Sequence, residues 1–494
     1  MRSHTCGSLR ESDIGTVVRV CGWLQFSRMS KFATLRDGYG CTQIIIPEER
    51  GDLSRSLDTI PYESVLSVKG QVVRRPSGQE NLGAQEFLVP TQQKGHFYSL
   101  VQSPQQLKQL LMIGAIDRYF QIARCYRDET ARPDRQPEFT QMDIEMSFSS
   151  REGVMHLVEE LLEHSWHSTI KKTNSPPFPR ITYNDAMSTY GSDKPDIRFG
   201  LKFVDVSKIV LSFKSASKPM ELLKQNPSFV AVCFNVPEYL EQGLLSRSNF
   251  RKFEENLRNS LISASSVRLF PERLKNTSNT DDHQLLWKHL DANSNEWLVT
   301  AVGQKDEVLP FLGRLRLMVA DHLESKGIKI RSEGFNFLWV IDFPLFLPVK
   351  KENGKSAMES AHHPFTQPHP DDFNLLETKP LEVRGLHYDL VCNGCEVGGG
   401  SVRIHDAALQ SRILDMLDID KSQLCHLIEA LSCGCPPHAG IALGVDRIMA
   451  LAVGAGSVRE VIAFPKGSEG QDLMSGAPST LSQEDLDLYH LKIK

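Results

Sequence analysis

The sequence predicts an α+β protein that carries an all-β module at its N-terminus. Three observations predict it. Residues from about Val17 to Arg75 alternate apolar and polar in several short runs, the pattern of a small antiparallel barrel. Residues Phe120 to Phe148 hold two further alternating runs joined by a loop rich in arginine and proline, which reads as an antiparallel hairpin. Tyr388 to Arg403 and Gly440 to Leu451 are glycine-bearing apolar runs, the second leading into a helical pattern.

The chain has 494 residues and a formal net charge of −5. At ~150 residues per domain this length suggests about three domains. Hydrophobic content of 40% and charged content of 24% are those of an ordinary globular chain. The acidic balance does not exclude a nucleic-acid partner, which needs only a local basic face. Ten irregularly spaced cysteines do not make a disulfide scaffold and fit a reducing compartment. Cys392-x-x-Cys395 and Cys433-x-Cys435 are candidates for a four-thiolate zinc site, although such sites usually carry two Cys-x-x-Cys knuckles. No run reaches the ~20 apolar residues of a membrane span, since Ala439 to Val458 is broken by Asp446 and Arg447. Met1 to Arg10 has no apolar signal core.

In chain order, the N-terminal runs place Arg28, Phe32 and Gln43 where a cation, a stacking ring and a base-edge partner would meet an oligonucleotide. The same pattern also fits a core Phe32 and a solvated Arg28. Pro104 to Gly114 reads as a helix with proline in its first turn and glycine at its end. On it, Gln105 and Lys108 are three apart and share a face. Glu152 to Lys171 reads as a second helix. Between them, the first hairpin run carries Arg124, Arg127 and Glu129, and the second projects Gln141, Asp143 and Glu145 to one side. Guanidinium groups at one end and carboxylates at the other suit a triphosphate together with a small zwitterion; spacing alone fits a solvated hairpin equally well. Residues 201 to 330 are polar, with Asn- and Ser-rich loops and no chemical motif. Asp389 and Glu396, seven apart, are paired carboxylates of the kind that hold Mg²⁺ near phosphates. The three glycines that follow allow close backbone approach, and Arg403 offers a carboxylate clamp. Gly444, Val445, Asp446 and Arg447 open a helix, an anion site with a cation beside it or a buried helix start capped by Asp446. His362-His363 carries no metal spacing. There is no Walker A sequence and no dinucleotide fingerprint.

Phe120 to Met146 resembles motif 2 of class II aminoacyl-tRNA synthetases in the aspartyl form, and Gly440 to Leu451 resembles motif 3. The N-terminal runs are similar in order to that family's anticodon-binding OB-fold barrel. The resemblance implies an antiparallel-sheet catalytic domain in two parts, 82–200 and 331–494, an OB-fold at 1–81 and an α/β insertion at 201–330 of bacterial and mitochondrial type. It implies ATP and Mg²⁺ as cofactors, L-aspartate and tRNA(Asp) as substrates, and a homodimer. It assigns Arg127 to the α-phosphate, Glu129 to the adenine end or a metal, and Phe139 to stacking on adenine opposite Arg447. Gln136, Glu396, Gly444, Val445 and Asp446 complete the ATP site, and Asp389 joins Glu396 at Mg²⁺. Gln105, Gln141, Asp143 and His362 contact the amino acid, with His363 behind it. Lys108 and Arg403 hold the side-chain carboxylate. Arg28, Phe32 and Gln43 read the anticodon. A mitochondrial matrix location follows, with no presequence visible; a bacterial cytoplasmic one is the alternative.

One departure stands out. Arg75 to Asn81 matches the family just before the barrel's last strand, whereas Leu82 to Pro90 matches a place well inside the catalytic domain. Leu82 stands where the family has an acidic or small residue. Motif 1, which braces the dimer, has no counterpart, as an internal deletion would leave it. The expectation is impaired dimerisation and weak or absent catalysis. The alternatives are an inactive tRNA-binding form and a lysyl or asparaginyl relative.

Overall fold

A computed structural model describes residues 3–6, 13, 15–28, 32–37, 40–47, 50, 53, 56–57, 60, 64–72, 86–128, 134–166, 170, 172–260, 264–273, 281–292, 296–350, 356–467 and 470–493. The chain divides into two compact units, Met1–Glu80 and Asn81–Lys494. The junction at residues 81 and 82 lies outside the described residues.

In the first unit, β1 (Val17–Arg28), β2 (Phe32–Asp37), β3 (Gly40–Ile45) and β4 (Val65–Gln71) form an antiparallel sheet in the order β3-β2-β1-β4. Alternation sets the faces: Val18 and Val20 are buried while Val17 and Arg19 are exposed, as a two-residue period requires. Val18, Val20, Leu24, Ala33, Leu35 and Ile46 make its core. Among the described residues β3 and β4 remain the two edges, so the expected barrel is present as an open four-stranded sheet.

The second unit begins with a hairpin, β5 (Leu88–Pro90) and β6 (Phe97–Ser99), and helix α1 (Gln105–Ile113), flanked by Pro104 and Gly114. β7 (Arg118–Tyr126) and β8 (Glu138–Ser147) form the arginine-rich hairpin. Helix α2 (Arg151–Ser165) starts at Ser150, whose side chain accepts the Gly153 N–H. It ends earlier than its apolar pattern predicts, because Trp166 leaves the helix to pack edge-on against Phe335 and Phe337.

A separate four-stranded sheet follows β9 (Arg180–Thr182). Its strands are β10 (Val204–Asp205), β11 (Phe229–Val236), β12 (Arg268–Arg273) and β13 (Trp297–Gln304), in the order β10-β11-β13-β12 and antiparallel. One face packs Phe234 and Val299 with Phe250, Phe311 and Leu312; the other packs Cys233 and Val302 with Val210, Leu223 and Trp287. Both faces are covered, which explains why β11 and β13 are apolar almost throughout. The long helix α3 (Lys305–Ser325) carries Arg316, only 2% exposed. Its guanidinium donates to the carbonyls of Asp196, Phe199 and Gly200 and lies 3.8 Å from the Phe199 ring centroid. Burial lowers its pKa to about 10, yet the carbonyl cage satisfies its donors.

β14 (Phe337–Ile341) returns the chain to the large sheet, and β15 (Phe346–Lys350) and β16 (Ser356–Ser360) form a hairpin beside it. β17 (His387–Cys392), β18 (Cys395–Val402) and β19 (His438–Gly444) complete seven strands in the order β7-β8-β19-β18-β17-β14-β9. All neighbours are antiparallel except β14 and β9. Helix α4 (Val445–Val453) follows β19 directly. Ile144, Trp339, Leu390 and Ile441 form the core behind the sheet with Val154 and Val158 of α2. On the opposite face Leu338, Val340 and Val391 pack with Ala186 and Phe343, while Asp143, Glu145 and Arg403 lie buried further along it.

Candidate active site

The polar face of the large sheet gathers side chains from β8, β17, β18 and β19, with α1 beside it. On β8 the two-residue period sends Asp143 and Glu145 to this face, and both are fully buried. Lys108, 1% exposed, reaches across from α1 to Asp143 Oδ1 at 2.8 Å and Glu145 Oε2 at 3.2 Å. Arg403, also 1% exposed, makes a fork on Glu145: Nε to Oε1 at 3.0 Å and Nη2 to Oε2 at 3.1 Å. Its Nη1 donates to Ser401 Oγ and His363 Nε2, both at 2.5 Å. Two buried cations thus face two buried carboxylates.

Burial by itself raises the Glu145 pKa, but the charges of Arg403 and Lys108 outweigh it and hold the group down to about 2. Gly440 lies opposite Glu145 on β19. A Cβ there would stand 2.1 Å from Glu145 Oε2 and 2.3 Å from the Ile144 carbonyl, so only glycine leaves room for the carboxylate. Glu145 is the functional residue that sequence reasoning passed over, although its place in the Gln141-Asp143-Glu145 alternation marked its face. Asp143 Oδ2 and Gln105 Nε2 are buried without a hydrogen-bond partner among the described residues, and such atoms point to a polar ligand. Gln141 Oε1 accepts from the Cys125 thiol at 3.3 Å.

His362 stacks on His387 with ring centroids 4.1 Å apart and lies 4.4 Å from His363. Its edge opens to the cleft, yet desolvation there, followed by the charges of His387, His363, Arg403 and Lys108, takes its pKa well below the ordinary value. Burial and Arg403 do the same to His363. His387 Nε2 is 2.8 Å from Asp389 Oδ1. Asp389 and Glu396 converge on Gly399: a Cβ there would meet Asp389 Oδ1 at 2.9 Å and Glu396 Oε1 at 3.7 Å. Burial, then the Asp389 charge, raises the Glu396 pKa, as expected for a carboxylate pair short of a cation.

Arg447, in the first turn of α4, is held by Glu396: its Nη1 donates to the Glu396 carbonyl at 3.0 Å and lies 3.8 Å from Oε2. The helix is capped by Gly444, not by Asp446. Asp446 Oδ2 instead accepts the Thr140 N–H at 2.8 Å, tying α4 to β8. Replacing Asp446 with Ala orphans that N–H, and we expect about 2 kcal/mol less stability in urea melts. Arg127 lies over the Phe139 ring at 5.0 Å. Gln136 is 2% exposed and turned inward: its Oε1 accepts the Lys466 N–H at 2.7 Å. Val445 begins α4 beside Gly444.

The remaining expected residues lie elsewhere. Glu129 lies outside the described residues. Arg28 and Phe32 are register partners of β1 and β2, and Gln43 pairs with Thr34 on β3, in the separate first unit. Burial raises the Cys392 and Cys395 thiols, and that of Cys435 to about 11. Among the described residues no group of three or more His, Cys, Asp or Glu is arranged to hold a metal ion.

A mainly antiparallel sheet with a buried Lys–Arg pair on one face and an arginine at the head of the helix after an inner strand fits a class II synthetase core. The profile described as "tRNA synthetases class II (D, K and N)" matches residues 76–468. Similar chains include the mitochondrial aspartate–tRNA ligase of Rattus norvegicus, 41% identical over 589 residues, which span all of this chain and 90% of the rat one. That of Homo sapiens is 39% identical over all of this chain and 91% of its own length. The aspartate–tRNA(Asp/Asn) ligase of Opitutus terrae is 34% identical, covering 99% of both chains. The chain belongs to the class II aminoacyl-tRNA synthetases and, within them, to the aspartate–tRNA ligases. The rat alignment runs over 589 residues where this chain has 494, so 95 aligned positions have no counterpart here. No helix among the described residues is long and apolar enough to cross a membrane.

Proposed function

We propose that this chain activates L-aspartate with ATP and transfers it to tRNA(Asp). The observation that carries this is the pair of buried cations, Lys108 and Arg403, on one face of the sheet. They would receive the side-chain carboxylate of aspartate, and Asp143 and Gln105 would take its ammonium group. The neutral amide of asparagine would leave the cations undercompensated, a penalty of several kcal/mol. The α-carboxylate attacks the α-phosphorus of ATP in line, the bond to the bridging oxygen breaks, and pyrophosphate leaves as aspartyl-adenylate forms. The terminal ribose hydroxyl of tRNA then takes the aspartyl group. Positioning and charge neutralisation dominate such a transfer.

Arg127 and Arg447 would bear the phosphate charge, and Glu129 would take the adenine end or a metal. Phe139, freed from Arg127, would stack on adenine, with Gln136, Gly444, Val445 and Asp446 shaping the nucleotide end. Asp389 and Glu396 fit Mg²⁺: they are hard oxygen donors on one glycine, and Glu396 is raised by burial and then by its neighbour's charge. Bound there, Mg²⁺ would neutralise phosphate charge, with ATP oxygens and water supplying its remaining ligands. His362 would cover the amino acid, Gln141 would contact it, and His363 would orient Arg403.

We assign residues 1–81 to an OB-fold that reads the anticodon through Arg28, Phe32 and Gln43, residues 201–330 to an insertion domain, and 82–200 and 331–494 to the catalytic domain. The mitochondrial names of the rat and human relatives favour the mitochondrial matrix. We place the missing positions between Asn81 and Leu82 and expect the loss of motif 1 to weaken catalysis. Aspartate-dependent ATP–pyrophosphate exchange tests the reading, with asparagine and lysine in parallel. Exchange with aspartate alone is expected. Exchange with asparagine or lysine instead would reject the assignment, and tRNA binding with no exchange would favour an inactive tRNA-binding form.

A further inference from the structure

The chain beyond α4 runs back to the start of β8, where Lys466 makes three ties. Its backbone N–H donates to Gln136 Oε1 at 2.7 Å. Its ammonium group donates to Asp472 Oδ2 at 2.9 Å and lies 3.7 Å from Glu138 Oε2. Gln136 is buried and Lys466 half-buried.

Asp472 is oriented before Lys466 reaches it. The two residues face each other as an antiparallel bridge. Asp472 Oδ1 accepts the Met474 N–H at 2.9 Å and the Ser475 N–H at 3.1 Å. Its own N–H donates to the Ala477 carbonyl, and the Gly467 N–H to that of Gln471, each at 2.7 Å. The Ser475 N–H, then Lys466 and the Met474 N–H, hold the Asp472 carboxyl well below the usual carboxylate range.

The other side of the junction leads to the nucleotide residues. Gln136 and Glu138 flank Pro137, whose carbonyl accepts the Arg127 N–H at 2.8 Å. Glu138 takes Arg124 on its other oxygen. Phe139 follows, with Arg127 over its ring at 5.0 Å. The Gln136 amide is engaged at both ends, since its Nε2 donates to the Arg135 carbonyl at 3.2 Å. Its side chain therefore holds backbone in place.

We propose that Lys466 and Asp472 are positioning residues for ATP: they fasten Gln136 and Glu138, and through Pro137 they set where Arg127 and Phe139 meet the nucleotide. This rests on the reading of Arg127 and Phe139 as nucleotide contacts. Both residues act through others. A partly exposed ion pair adds little to stability, whereas a shift of about 1 Å at a reacting group costs up to about a hundredfold in rate. The tie is therefore expected to show in ATP binding rather than in melting.

The test titrates ATP with Mg²⁺ into the whole chain by calorimetry, which needs no turnover, and follows pyrophosphate exchange with ATP and aspartate varied in turn. Lys466→Met removes the ammonium group. Asp472→Asn keeps an oxygen for the Met474 and Ser475 N–H groups and takes away the acceptor of Lys466. Each is expected to raise the ATP dissociation constant and the KM for ATP about tenfold, with the KM for aspartate and the urea midpoint unchanged. Lys466→Arg keeps the charge and is expected to bind ATP within about twofold of the parent. An ATP constant that neither Lys466→Met nor Asp472→Asn changes overturns the proposal. So does a lower urea midpoint with fewer competent sites at the same ATP constant, the mark of a purely structural tie. A Lys466→Arg chain as weak as Lys466→Met overturns it equally. A parent that binds no ATP overturns the nucleotide reading itself and this inference with it, whereas the other three results leave that reading standing.

Discussion

An Arg403→Met variant is expected to lose aspartate activation by about a thousandfold or more and to be less stable by about 3–5 kcal/mol. Both effects come from one geometry. Arg403 and Glu145 are buried and joined by two hydrogen bonds. Taken with Lys108 and Asp143, the four groups sum to zero charge. Removing the guanidinium leaves Lys108 shared between two buried carboxylates, and the pocket becomes net negative. An incoming side-chain carboxylate is then repelled where it was attracted, whereas the amide of asparagine feels little of the change. The variant should therefore lose most of its preference for aspartate. Arg403→Lys retains a charge but cannot make the fork, and its exchange is expected to fall by about one to two orders of magnitude. Pyrophosphate exchange at varied aspartate, with urea melts of each variant, reads both effects. An unchanged KM for aspartate in Arg403→Met would remove Arg403 from substrate recognition.

Much of this site was legible in the sequence because a two-residue period assigns faces. It placed Asp143 and Glu145 together on β8, and helical spacing placed Gln105 and Lys108 on one face of α1. Periodicity does not say which carboxylate meets which cation. Glu145 takes the Arg403 fork because Gly440, on a strand almost 300 residues further along the chain, leaves it room, and no local pattern carries that pairing. The tie from Gln136 to the backbone N–H of Lys466 was hidden for the same reason, since the two lie 330 residues apart. Asp446 looked like a helix cap and is instead a tie to Thr140 across the sheet. The helix at Arg151–Ser165 was found but overextended, since the stop is a tertiary contact of Trp166 rather than a glycine or proline. That β7 pairs, among the described residues, only with β8 is a tertiary fact that an alternating pattern does not carry.

Glu145 also governs acid stability. Its folded-state pKa, about 2, lies below the ordinary value of 4.5. A carboxylate held low contributes stability that is fully present above its unfolded pKa and is lost as pH falls through the folded one. The window therefore runs from about 4.5 down to about 2. The shift corresponds to about 3 kcal/mol, an upper figure because the burial penalty and the ion pairs are large opposing terms. Glu145→Gln removes the titration, keeps the shape and leaves Lys108 and Arg403 without their shared anion. At neutral pH the variant is expected to be less stable than the parent by about 3 kcal/mol or more, and the difference should shrink as the pH is lowered through the window. Asp196, held low by Arg198 and Arg331 against its burial, titrates in both chains and cancels in that difference. The double variant Lys108→Met with Glu145→Gln removes one charge of each sign and should regain part of the loss at neutral pH. Urea denaturation of the three chains across this pH range is the measurement. A difference between parent and Glu145→Gln that does not change with pH would mean that Glu145 is not ionised in the fold, and the charge balance on which aspartate selection rests would have to be redrawn.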